Sequence, residues 1–184
     1  MKNTNFFKIL LFILTTLMPL LFVGVAFGQV DQTPENQIKE QNIVLPEVSP
    51  PVGRYVPFVR VGNLLYVSGH GPTELWRGKG KVGQGGLSVE EGYQAARDSG
   101  LRVLAAVRLA LGSLNKVKRV VKTLGMVNSE PDFKDQPKVV NGCSDLMIEV
   151  FGQTKGVGAR SSVGVSGLAF GNPVEVEMIF EVMD

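Results

Sequence analysis

The sequence holds one cysteine, one histidine and one tryptophan in 184 residues. A single thiol, Cys143, excludes an internal disulfide, so the fold must be held by its core alone. Cys143 lies between Gly142 and Ser144 on an apparent helix and reads as a small packed residue. One His and one Cys, with no clustered ligand spacing, give no metal site. The glycine-rich run WRGKGKVGQGG at 76–86 is read as having neither GxxxxGK[ST] nor GxGxxG spacing, and so as a mobile hairpin or loop with Trp76 packed at its base. Charge of either sign is also scarce as an excess. The chain has 19 Lys+Arg against 17 Asp+Glu, and two of those cations, Lys2 and Lys8, lie in the first 28 residues. Residues 29–184 are therefore neutral, and no basic stripe argues for nucleic acid. Lys116 to Lys122 reads as the solvated side and start of a strand.

What is present begins with an apolar run. Lys2 and Lys8 form a positive start, Ile9 to Phe27 is almost continuously apolar, and Ala26-Phe27-Gly28 is a small-x-small cleavage pattern. Residues 1–28 read as a secretory signal peptide, which implies a periplasmic or secreted protein with no stable membrane association once cleaved. The run is also long enough for an uncleaved anchor, against which stand Pro19 and Gly24. Residues 29–53 are polar, hold four prolines and lack periodicity, and read as a tether. The folded unit is then 54–184, enough for one core.

Within that unit, Tyr55 to Gly69 reads as a hairpin turning at Gly62-Asn63, a two-residue turn of the Gly-first type. Its second strand ends in Ser68-Gly69-His70-Gly71-Pro72. His70 is the one candidate general base among histidines, though a lone His after a strand is usually structural. Gly69 and Gly71 allow a close approach of backbone to something. Ser88 and Glu91 form a capping box for a helix whose apolar stripe runs from Tyr93 to Leu111 and ends at Gly112. Val117 to Val127 is a strand, with Val120, Leu124 and Met126 read as its apolar face against Lys118 and Lys122. Pro137 suits the first turn of a second helix ending at Gly152.

The last stretch, Gly158 to Val182, reads as two strands joined by a short turn. In the second, Val174, Val176, Met178, Phe180 and Val182 alternate with Glu175, Glu177, Ile179 and Glu181. In the first, Val163 and Val165 alternate with Arg160, Ser162, Gly164 and Ser166. Laying both apolar faces on one core puts Arg160 and Ser162 on the same side as Glu175 and Glu177. The fold class is therefore α+β: a two-layer sandwich of a mostly antiparallel sheet with two helices on one face. The other face, small-residue-rich and carrying an arginine and carboxylates, is poorly suited to plain solvation.

Arg-Ser-x-Val-x-Val followed by Val-Glu-Val-Glu resembles the signature of the RidA family of imine and enamine deaminases. The resemblance covers about residues 54–184. It implies a chorismate mutase-like fold and a homotrimer whose sheets close into a barrel, with active sites in the clefts between subunits. It places Arg160 and Glu175 as catalytic residues and Tyr55, Ser68, Asn141 and Ser162 around the substrate. It requires no metal and no organic cofactor. The chain departs from the family pattern at Ser162, where many deaminases have Cys, at His70, where Gln is common, and at Leu168-Ala169, where Leu-Pro is usual.

The implied reaction is hydrolysis of small 2-imino or 2-enamino acids, such as 2-iminopropanoate, to 2-oxo acids and ammonia. Arg160 would grip the carboxylate with its planar fork. Glu175 would hold the attacking water and move the proton if burial raised its pKa, with a nearby Arg160 opposing that rise. Ser68 and Tyr55 would supply hydrogen bonds. The second reading is a catalytically silent trimer in the periplasm that binds a small carboxylate or a protein partner. The signal-like run carries its own test. Protein from the native host should have an intact mass beginning at Gln29, and a membrane-bound species retaining residues 1–28 would favour the anchor instead.

Overall fold

The computed structural model describes residues 33–184. The calls for a signal peptide or an anchor fall on residues 1–28 and lie outside the described residues. Among the described residues, no helix is long and apolar enough to cross a membrane.

Three helices and one five-stranded sheet make up the domain. In chain order they are α1 (Pro34–Glu40), β1 (Phe58–Val61), β2 (Leu64–His70), α2 (Val89–Leu111), β3 (Val117–Asn128), α3 (Gln136–Gly156), β4 (Ala159–Val165) and β5 (Val174–Val182). The sheet order is β1-β2-β5-β3-β4. Every neighbouring pair is antiparallel except β3 and β4, which run parallel. α2 and α3 cover one face, and Val174, Val176, Met178, Phe180 and Val182 are buried beneath them. This is the expected α+β sandwich.

Local chemistry explains the elements that match expectation. Gly62 takes the positive φ that the hairpin turn requires (φ 57°). Both bonds of the Ser88–Glu91 capping box form, and Gly112 closes α2 in the left-handed region. Arg97 ties α2 to α3 through two hydrogen bonds to the Glu149 carboxylate, at 3.0 and 2.6 Å. Cys143 is fully buried against Met178, and burial pushes its thiol pKa up to about 12. It is an inert packing residue.

Four expectations are corrected. First, the described part of the expected tether, 33–53, is not simply a tether. Thr33 caps α1, Ile38 is buried, and the Glu35 carboxylate accepts from Arg108, from the Leu114 amide and from Ser113. A seven-residue helix with one buried side chain has no periodicity to detect. Second, the glycine-rich stretch is pinned: Val82 is fully buried, its amide donates to the Asn128 carbonyl at 2.8 Å, and its own carbonyl accepts from Glu130. Gly78 to Gly83 does have GxGxxG spacing. It opens no helix, however, since α2 starts at Val89, so the spacing is not a dinucleotide fingerprint. Third, the second helix does not end at Gly152. That residue breaks the helical angles (φ 76°), and the last turn continues to Gly156.

The fourth correction moves the candidate site. β4 and β5 are not neighbours; β3 lies between them. β3, α3 and β4 form a crossover unit, and a helix between two strands returns the chain to the same end, so the strands pair in parallel. β3 also bulges twice, between Val117 and Arg119 and between Val120 and Lys122. Each extra residue flips the alternation. Beyond the second bulge Thr123, Gly125 and Val127 are buried on the helix side, and Leu124 and Met126 turn to the open face. Arg160 pairs with Thr123, and Ser162 with Gly125, so both lie on the helix side. Val163 pairs with Met126 and lies on the open face with Glu175 and Glu177. Arg160 and Glu175 therefore occupy opposite faces of one subunit's sheet.

The closest helix contact gives a stability test. A Cβ on Gly142 would strike the Tyr93 carbonyl of α2, whereas one on Gly100 would meet only the ends of Leu146 and Cys143 at 3.0 and 3.1 Å. Alanine is the better helix former by about 1 kcal/mol. Backbone against Cβ should outweigh that, so Gly142→Ala is expected to lose about 2 kcal/mol in urea unfolding, and more than Gly100→Ala.

Candidate functional site

Glu175 stands second in β5, on the open face, where the edge of the cleft meets the end of β2. β2 is irregular there. Val67 pairs with Met178 and His70 with Val176, so Ser68 and Gly69 bulge between them. Ser68 donates its hydroxyl to the Val56 carbonyl at 2.7 Å and its amide to the Pro57 carbonyl at 3.0 Å. A Cβ at Gly69 would fall on the Glu175 carboxylate, so any side chain there would have to push that carboxylate aside. Gly71 likewise makes way for the Asn172 side chain.

Burial raises the Glu175 pKa above its ordinary value of 4.5, and the charge of Glu177 adds to the rise. Arg160, expected to oppose the rise, is on the other face. No hydrogen bond or ion pair holds the Glu175 carboxylate among the described residues. His70 lies on the neighbouring strand, paired with Val176, and lines the same cleft. Its Nδ1 meets the Ser68 carbonyl at 2.7 Å. A carbonyl only accepts, so Nδ1 carries the proton and Nε2 of the neutral ring is an acceptor. Burial, with help from Arg102, lowers the His70 pKa below 6.5, against the Ser68 carbonyl, which raises it. Arg102 reaches across from α2 and donates to the Gly71 and Pro72 carbonyls, both at 3.1 Å. Together with Tyr55 and Phe170 these groups line a cleft of about 610 Å³. Neither Arg102 nor Phe170 is evident as a site residue from sequence: one sits in a helical stripe, the other in a turn.

Arg160 occupies a second, smaller cavity of about 240 Å³ between β4 and α3. Its Nη1 donates to Asn141 Oδ1 at 2.7 Å and to Ser144 Oγ at 3.0 Å. Asn141 and Ser144 stand three apart on α3 and so share a face. That spacing is the signal by which Ser144 could have been found. No carboxylate neutralises Arg160 among the described residues. Ser162 lies one step along β4, its hydroxyl buried and without a hydrogen-bond partner in the described residues.

The predicted residues thus fall into two groups. Tyr55, Ser68 and Glu175 share the larger cleft, and Asn141 and Arg160 share the smaller one. One group offers a carboxyl whose pKa burial raises, in a cleft shared with the Ser68 and Tyr55 hydroxyls. The other offers an unneutralised guanidinium with two of its donor bonds already satisfied. Neither half holds all that the hydrolysis of a carboxylate-bearing imine needs.

The family model described as YjgF/chorismate mutase-like, putative endoribonuclease matches residues 35–174. The chain belongs to the RidA/YjgF family. Protein TCP17 of Trypanosoma cruzi is 43% identical over 147 residues, spanning 79% of this chain and 91% of that protein. A crystal structure described as a putative endoribonuclease from Shewanella oneidensis is 30% identical, with a TM-score of 0.76 over 82% of this chain and 99% of that one. RidA from an Antarctic Psychrobacter is 25% identical, with a TM-score of 0.51 over 74% of this chain and 94% of its own. The RidA-family match begins inside α1, which therefore belongs to the domain and not to a linker.

Glu175 offers a test of its raised pKa. Below its ordinary value of 4.5 the carboxyl is protonated in folded and unfolded chains alike. As pH rises through the folded pKa, the folded state must accept a desolvated charge and loses stability. Glu175→Gln should leave the melting temperature unchanged near about pH 4 and raise it at neutral pH. A lower melting temperature at neutral pH would mean that an unseen partner stabilises the carboxylate.

Proposed function

We propose that the protein is a cofactor-free deaminase that hydrolyses 2-imino and 2-enamino acids to 2-oxo acids and ammonia, acting as a homotrimer. One observation carries the reading: the two halves of the site are each incomplete and lie on opposite faces of the same sheet. A cleft between subunits, as in the RidA family, would bring Arg160 of one copy to Glu175 of the next. Arg160, positioned by Asn141 and Ser144, binds the substrate carboxylate. Water adds to the imine carbon and gives a carbinolamine. Glu175, its pKa raised by burial, takes a proton from the water and gives it to nitrogen; it then carries the carbinolamine hydroxyl proton to the amine as the C=O bond forms and the C–N bond breaks, releasing ammonia and the 2-oxo acid. Ser68 and Tyr55 hydrogen-bond around the reacting carbon. Export through residues 1–28 is part of the same proposal, with the signal-like run as its support. RNA is a poorer candidate: the chain lacks a basic stripe, and Glu175 and Glu177 would repel phosphates in the cleft.

The assay is release of ammonia and 2-oxo acid from imines generated in situ by an amino-acid oxidase. Arg160→Ala should lower kcat/KM by roughly 30- to 1000-fold, and Arg160→Lys should restore little, because an ammonium has no fork. Glu175→Gln should lower turnover and leave pyruvate binding largely intact. Mixing Arg160→Ala with Glu175→Gln subunits then decides where the site is. After unfolding and co-refolding, random trimers should recover about a quarter of wild-type activity, because some interfaces pair the two intact halves. No recovery, or a monomer by light scattering, would place the chemistry within one subunit and overturn the shared site. Wild-type protein that hydrolyses no imine but binds pyruvate through Arg160 would support the silent binding protein.

A further inference from the structure

Phe170 holds a backbone conformation that bulky residues avoid. It lies in the left-handed region (φ 58°, ψ 17°) in the turn 169–171 that leads into β5. Asn42 is the other non-glycine residue with positive φ among the described residues, and asparagine tolerates it. The turn is held from outside. The Gly78 amide donates to the Phe170 carbonyl, and the Gly80 amide donates to the Gly171 carbonyl, both at 3.1 Å. The Arg77 guanidinium lies 4.2 Å over the Phe170 ring. Glu74 in turn fixes Arg77 through hydrogen bonds to both carboxylate oxygens, at 2.8 and 3.0 Å. All this holds a ring that is 52% exposed and adds nothing to the core. Strain that the surroundings impose on an exposed residue at a cleft points to a role in that cleft.

The cleft is the one that holds Glu175. Arg77 takes one face of the ring, and part of what remains forms the wall. Pro50, Pro51, Val52 and Ala169 extend that wall with apolar surface. At about 610 Å³ the cleft falls among those that take drug-sized ligands, about 300–1,000 Å³, and exceeds the needs of a three-carbon imino acid. We propose that Phe170 is the specificity-determining residue of the Glu175 cleft and selects 2-imino acids with a large apolar, preferably aromatic, side chain. This rests on the deaminase reading above. It departs from the short substrates expected from sequence. The substrate ring packs beside Phe170 in an offset or edge-on arrangement, the geometry that aromatic pairs favour.

The test compares imines made in situ from alanine and from phenylalanine. Wild-type kcat/KM should favour the phenyl-bearing imine by about tenfold or more, in the range that added apolar contact supplies. Phe170→Gly suits the backbone angle and removes the ring. It should abolish most of that preference through KM and not lower the melting temperature. Phe170→Tyr keeps the ring and should keep the preference. A preference that survives Phe170→Gly, or wild-type protein that rejects the phenyl-bearing imine because a neighbouring subunit fills the cleft, would overturn the inference while leaving the deaminase reading intact. If no imine is hydrolysed, the deaminase reading fails. Titration calorimetry with phenylpyruvate and pyruvate then decides the specificity role: tighter phenylpyruvate binding lost in Phe170→Gly supports it, and equal binding overturns it.

Discussion

β3 pairs with β5 on one side and β4 on the other, and the extra residue it carries near Val121 decides which face each functional group occupies. Before that bulge Val120 faces the helices; after it Thr123, Gly125 and Val127 do. Because β4 takes its register from β3, Arg160 and Ser162 follow Thr123 and Gly125 to the helix side. Because β5 keeps its alternation, Glu175 and Glu177 stay on the open side. A strand without the bulge would invert this half of β3 and bury Leu124 and Met126 under α3. Gly125 marks the consequence. A Cβ there would collide with the Val140 side chain of α3, so the helix rests directly on the strand.

The separation has an electrostatic consequence. Side by side, Arg160 and Glu175 would form an ion pair, hold the carboxylate ionised and neutralise the guanidinium that is to bind substrate. Within one subunit the two stay unpaired. Partial burial and the like charge of Glu177 raise the Glu175 pKa above its ordinary value. Arg160 is satisfied only by neutral acceptors, Asn141 and Ser144, which orient it and leave its charge intact. At His70, burial and the nearby Arg102 favour the neutral ring against the Ser68 carbonyl, whose bond to Nδ1 fixes the tautomer and leaves the second nitrogen as acceptor.

Local signals were legible in the sequence wherever one residue type has one physical use. Ser88 with Glu91, Gly112 after a helical stripe, and Gly62 in the hairpin each describe their element closely. The alternation of β5 identifies the buried face correctly. The pairing of β4 was less accessible, because apolar alternation is symmetric: Val163 and Val165 look like core until the neighbour is known. The helix between β3 and β4 was the available clue, since it implies a parallel return. The two bulges of β3 carry no glycine or proline to mark them. α1 rests on one buried side chain and one carboxylate network, which no pattern of seven residues reveals. Arg102 and Phe170 were hidden for another reason: they stand on a helix and a turn that meet at the cleft only in the folded chain.

The open face follows the same logic. It carries Val59, Val61, Tyr66 and Val163, all at least 40% exposed, beside Leu124, Met126 and the acidic row of β5. A single subunit leaves this apolar surface in water, where it costs free energy in proportion to its area. In the proposed trimer, association both covers that surface and supplies the missing half of each site. Stability and catalysis would then draw on one interface, and the subunit would have little reason to place Arg160 and Glu175 together. The misplacement of two catalytic groups on opposite faces is, on this view, what makes assembly and activity the same event.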